Sequence, residues 1–236
     1  MTNRLTIAHV FPALLGTYGD AGNVSVLRYR AEVRGIRVSI VDVLPGDPVP
    51  ATADLYVIGG GEDAQEMRAT ELLRADSGLS MAVHRGAPVL AVCAGMQILG
   101  EWFTDGSDSR VAGLGLLDLR TDRRSVRAVG DVIADTTGVL DLPTLIGFEN
   151  HRGATSLGAD ARPLARVLHG IGNGAAEPVE GALQGSVIGT YLHGPVLALN
   201  PALADYLLTQ VVGDLAPMDD VRAEEFRANR FQRARA

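Results

Sequence analysis

The sequence predicts an α/β fold: a mostly parallel sheet with helices on both faces, extended by an antiparallel region. Three observations predict it. The first half alternates short, continuously apolar runs with longer helix-like stretches. Those runs carry no polar face, as expected of strands buried on both sides. In the second half the alternation gives way to short strand-like segments separated by Gly and Pro, which favours antiparallel pairing.

Leu5–Val10 reads as the first strand, and GTYGDAGN (16–23) as a Gly- and Asp-rich loop. Asn23 is placed to cap a helix running to about Arg34, with Val26, Tyr29 and Val33 on one face and Gly35 at its end. Arg37–Val43 is β-branched and strand-like, and LPGDPVPA (44–51) is a turn-rich connector. DLYVIGGG (54–61) is a strand ending in three glycines. Ala64–Arg74 is helical, and Ser80–Arg85 extends or follows it. Pro88–Val92 is an apolar strand, and Ala94–Phe103 is read as a helix. Beyond Gly113 the strand candidates are Val126–Ala134, Thr144–Phe148, Leu164–Leu168 and Ser186–Tyr191, and Pro201–Val212 is a closing helix. One domain over residues 1–236 is expected, with 213–236, charged from Asp219, as a flexible or partner-binding tail.

A net charge of −7 leaves no electrostatic footprint for nucleic acid. All 21 basic residues are arginine, which excludes Schiff-base and P-loop lysine chemistry. The single cysteine makes no internal disulfide, so a reducing cytoplasm is expected. MTNRLTIAHVFPALLG lacks a convincing signal-peptide core and cleavage site, and no run approaches the length of a membrane span.

In parallel α/β sheets, sites form at the carboxyl ends of strands. Gly59–Gly61 and Cys93 both fall there. A strand–Cys–helix junction exposes a thiol on a tight turn, and the helix N-terminus lowers its pKa and supplies N–H groups for an oxyanion. Ala91, Ala94 and Gly95 are small enough for such a turn. The competing reading is a small buried hydrophobe, and the spacing leaves both open. A thiol nucleophile needs a base. Of His9, His84, His151, His169 and His193, position favours His151 in GFENHRG and His193 in GTYLHGP. A satisfied structural histidine is the competing reading of each. No GK[ST] follows the triple glycine, so it is either a plain tight turn or a close backbone approach offering an N–H to an oxyanion.

VIGGGED (57–63), PVLAVCAGMQILG (88–100) and GTYLHGP (189–195), in this order and spacing, resemble the class I glutamine amidotransferases over most of the chain. TYGDAGN, GLGLLDL (113–119) and GFENHRG (147–153) resemble the cobyric-acid-synthase-like branch, and within it the glutaminase subunits of lipid II isoglutaminyl synthases. The resemblance implies a flavodoxin-like sheet. It makes Cys93 the nucleophile that forms a thioester with L-glutamine and His193 the general base and acid. It places the backbone N–H groups of Gly60 and Ala94 in the oxyanion hole, and Gln97 and Arg127 on the substrate, Arg127 at its carboxylate. It implies no metal or cofactor in this chain; ATP and Mg²⁺ belong to a Mur-ligase-like synthetase partner in a heterodimer. Many class I enzymes carry a Glu two residues after the histidine, where this chain has Pro195. The expected replacement is an acidic residue of the partner, with Glu149 as the internal competitor. Other readings are a glutaminase of another synthetase, such as a cobyrinate amidase, a non-catalytic scaffold with the same fold, and an intracellular-protease-like or deglycase-like protein.

Overall fold

The computed structural model describes residues 4–17 and 19–235, so Tyr18 of the GTYGDAGN loop lies outside the described residues. In chain order the first layer is β1 (Arg4–Val10), α1 (Ala21–Glu32), β2 (Arg37–Val43), β3 (Leu55–Ile58), α2 (Asp63–Ala75), α3 (Gly78–His84), β4 (Val89–Val92) and α4 (Ala94–Leu99). The second layer follows as β5 (Trp102–Thr104), β6 (Arg110–Ala112), β7 (Leu119–Asp135), β8 (Leu145–Leu157), β9 (Ala165–His169) and β10 (Val179–Glu180). The chain then returns through β11 (Ala182–Gln184) and β12 (Val187–Thr190), and ends in α5 (Val196–Leu199), α6 (Pro201–Val212) and α7 (Val221–Arg235).

The first sheet has the order β11-β12-β4-β3-β1-β2 and is parallel except for the β11 edge. Every residue of β3, β4 and β12 is buried. Successive side chains point to opposite faces, so a fully buried strand is covered on both. Burying one such aliphatic side chain is worth about 1.5–3 kcal/mol.

The second sheet runs β10-β9-β7-β5-β6, with β8 also paired to β7. It is antiparallel except at β5–β7. β7 and β8 form a long ribbon with a register shift between Arg123 and Ala128. The two sheets are joined where the Phe148 and His193 backbones exchange hydrogen bonds of 3.1 and 2.8 Å.

Three expectations need correction. Asn23 does not cap α1: it lies inside the helix, fully buried, and its Oδ1 accepts the Leu197 N–H at 3.0 Å. Tyr29 and Val33 lie on the exposed face of α1, while Val24, Leu27, Arg30 and Ala31 face inward. Arg30 is tolerated inside because it forks onto Asp205 and Asp220 at 2.6–2.8 Å. Burial opposes its charge, but the two carboxylates outweigh that and raise its pKa. The helix read as Ala94–Phe103 stops at Leu99, and Trp102 and Phe103 belong to β5. At Gly100 a Cβ would lie 2.4 Å from Leu119 Cδ1, so the chain passes directly against β7 there.

The segment 221–235 is helix α7, lying against the β7–β8 ribbon. Arg227 donates to the carbonyls of Leu199 and Thr144 and to Asn200 Oδ1, and Arg230 to Asp131. Among the described residues, no helix is long and apolar enough to cross a membrane.

Candidate active site

Cys93 follows β4 directly and begins α4, with φ 52° and ψ −110°. A non-glycine residue with positive φ is strained, and such strain persists only where the surroundings enforce it. Here the Cys93 N–H is held by the Thr190 carbonyl at 2.8 Å, and its carbonyl accepts the Gln97 N–H. Gly95 is needed behind it, because a Cβ there would lie 2.9 Å from the Ile58 carbonyl oxygen.

Burial, then the nearby Glu66 and Asp20 carboxylates, push the Cys93 thiol pKa up, against smaller opposing effects of the Ala94 N–H and Arg127. The Ala94 N–H at the head of α4 lowers it, as expected of a helix N-terminus, but is outweighed. With α4 only six residues long, desolvation wins. A thiol held neutral at rest must hand its proton to a base as it attacks.

His193 follows β12, the neighbour of β4, and is buried. Its Nδ1 lies 3.1 and 3.2 Å from the two Asp20 oxygens. An Nδ1–H donated to Asp20 puts the lone pair on Nε2, the tautomer a general base requires. Asp20 Oδ2 also accepts the Gly60 N–H at 2.8 Å. Gly60 binds the group together: a Cβ there would lie 3.0 Å from His193 Cε1, 3.1 Å from Asp20 Oδ2 and 3.2 Å from Cys93 Cβ. Cys93, His193 and Asp20 thus converge on one glycine.

A cleft opens over Cys93, lined in part by Gly61, Glu66, Gln97, Arg127 and His151. Arg127 sits at the β7 irregularity and donates to Asn150 Oδ1 at 2.6 Å, with Glu62 at 3.7 Å. Gln97 donates to the Tyr191 hydroxyl at 2.8 Å. Tyr191 in turn contacts Thr155 Oγ1 at 2.7 Å and stacks on His151, with ring centroids 3.7 Å apart. Burial lowers the His151 pKa, although Glu149 lies 3.5 Å from its Nε2. Among the described residues, the buried His151 Nδ1 has no hydrogen-bond partner.

Residues 6–201 match the model of the CobB/CobQ-like glutamine amidotransferase domain. The chain belongs to the CobB/CobQ-like glutamine amidotransferase family. Within that family it is 37% identical over 210 residues to the GatD subunit of lipid II isoglutaminyl synthase (glutamine-hydrolyzing) from Staphylococcus aureus strain N315, covering 87% of this chain and 84% of that protein. It is also 37% identical over 182 residues to cobyric acid synthase from Sphingopyxis alaskensis, where it spans 35% of that longer protein and 74% of itself. A crystal structure of a glutamine amidotransferase superposes with a TM-score of 0.57 at 22% identity, over 88% of this chain and 99% of that one.

The sequence reading gave the third member of the constellation to an acidic residue of the partner, with Glu149 as the internal competitor. In this structure Asp20 holds that position beside His193. Glu149 is engaged elsewhere, accepting the N–H groups of Ile171 and Gly172 and facing His151. Cys93, Gln97 and Arg127 all come together at the cleft, and Gly60 packs against both Cys93 and His193. The Gly60 N–H, expected to face an oxyanion, is given to Asp20. Glu66 also went unnoticed, because its place on α2 reads as an ordinary exposed helix acid. The only sequence signal for Asp20 is a carboxylate in a Gly-rich loop just after the first strand.

Proposed function

We propose that this chain hydrolyses L-glutamine to glutamate and ammonia as the glutaminase subunit of a lipid II isoglutaminyl synthase. One observation carries the reading: a strained Cys93 beside a buried His193 whose Nδ1 is held by Asp20. In the forward step Sγ bonds to the side-chain amide carbon of glutamine. His193 takes the thiol proton and gives it to the leaving nitrogen. The C–N bond breaks, ammonia departs, and a thioester remains. Water, activated by the same imidazole, then releases glutamate. Ala94 N–H stabilises the oxyanion, joined by Gly60 once its N–H is released from Asp20 or shared. Arg127 pairs with the substrate α-carboxylate and Gln97 orients the side chain.

The ammonia passes to a Mur-ligase-like (MurT-like) synthetase in a heterodimer. That partner uses ATP and Mg²⁺ to activate the α-carboxyl of D-glutamate in the lipid II stem peptide, in the cytoplasm. The GatD relative, aligned over 87% of this chain and 84% of its own length, supports this assignment.

The test is glutamate release from L-glutamine by the full chain, alone and with the co-expressed synthetase, with Cys93→Ala as control. Release that depends on Cys93 and rises with the synthetase is expected. No release in either state overturns the reading.

A further inference from the structure

Glu66 is the buried acid that neither the fold nor the thiol–imidazole pair uses. It lies in the first turns of α2, and its side chain lines the cleft that holds Cys93. The residue is 7% exposed, and among the described residues its buried Oε1 has no hydrogen-bond partner. An unsatisfied buried acceptor is costly, so one that lines a cleft beside a nucleophile points to a partner that arrives from outside the fold. Burial, with Asp63 nearby, pushes its carboxyl well above the usual range. Arg123 and Arg127, which line the same cleft, are engaged elsewhere, Arg123 with Asp63 and Arg127 with Asn150 and Glu62. The missing partner is therefore a hydrogen-bond donor delivered with the substrate to the thiol end of the cleft.

Resting on the glutaminase reading above, we propose that Glu66 accepts a hydrogen bond from the reacting nitrogen, first as the carboxamide NH₂ of bound L-glutamine and then as the ammonia that leaves. Glu66 forms and breaks no covalent bond. It holds the nitrogen while Sγ–C forms, C–N breaks and His193 returns the proton. It is a specificity-determining residue, because glutamate offers no N–H at this place. The carboxamide supplies N–H donors to the Glu66 acceptor oxygen that the product carboxylate lacks, so the site favours the amide.

The experiment compares two substrates with the same acyl group, L-glutamine and L-glutamate γ-methyl ester, whose leaving group carries no N–H. The full chain with its co-expressed synthetase is assayed as wild type, Glu66→Ala and Glu66→Gln, with Cys93→Ala as blank. Glu66→Ala should lower kcat/KM for glutamine by about 10- to 100-fold, the effect of losing one strong hydrogen bond. Ester hydrolysis should change less than about threefold by comparison. Glu66→Gln keeps an acceptor oxygen and should fall between. Neither variant should lower Tm, since each removes an unpartnered acid; if Glu66→Ala does not fold, Glu66→Gln carries the comparison. Equal losses on amide and ester, or no loss on the amide, overturn the inference while leaving the glutaminase reading intact. A wild type inactive on both substrates overturns the two together.

Discussion

His193 Nδ1 lies 3.1 Å from Asp20 Oδ1, although 173 residues separate them. The imidazole is thereby oriented from within this chain. Asp20→Asn keeps an acceptor for the Gly60 N–H but lets the imidazole take the wrong tautomer. By analogy with the aspartate of serine-protease triads, kcat should fall by about 100-fold or more. Steady-state glutaminase assays with the synthetase present check this. Full activity of Asp20→Asn there would return the orienting role to the partner.

Arg127 is half-exposed at the cleft and already engaged by Asn150. If it pairs with the α-carboxylate in ground and transition states alike, Arg127→Ala raises KM by about tenfold or more with kcat nearly unchanged. A loss confined to kcat would place Arg127 at the reacting end instead. Arg127→Lys should recover little, since a point charge does not replace a planar fork.

Burial holds the Cys93 thiol neutral near pH 7, with Glu66 and Asp20 adding to it. In the free protein, alkylation by iodoacetamide should climb by about tenfold per pH unit from pH 6 to 9 without levelling. A plateau below pH 8 would show a preformed thiolate and contradict this geometry.

Glu180 is fully buried beneath the segment that leads to His193, accepting from Thr190 Oγ1 and the Tyr191 N–H. Burial pushes its carboxyl up to about 7, partly opposed by those two donors. A folded-state pKa above the unfolded value contributes stability that is complete below the unfolded pKa and is lost as pH rises through the folded one. Stability should therefore decline from about pH 4.5 to pH 7–8, with Glu180 accounting for about 3 kcal/mol. Glu180→Gln keeps Oε1 and should flatten the decline, as read by Tm across that window. An unchanged slope would remove Glu180 as its source.

What could be read along the chain was local. Val89–Val92 and Val187–Thr190 are short, wholly apolar runs, and such runs have few other ways to fold. The junction at Cys93 was legible because strand, thiol and small residues are contiguous. The inner face of α1 was not, because Arg30 is made acceptable by acids 175 and 190 residues away. The end of α4 was missed because Trp102 and Phe103 continue an apolar pattern, and only the approach of Leu119 to Gly100 closes the helix. Asp20 was hidden for the same reason as Arg30: its partners exist only after folding. Gly60 was recognisable as a backbone donor, but not the recipient of its N–H.

The backbone exchange between Phe148 and His193 has a consequence for when the protein becomes competent. The thiol is made early in synthesis, and the imidazole a hundred residues later, as the gap between positions 93 and 193 shows. The imidazole is locked only after the β7–β8 ribbon is complete. A nascent or truncated chain thus carries an inert sulfhydryl and no base, so unfinished copies on the ribosome degrade no glutamine.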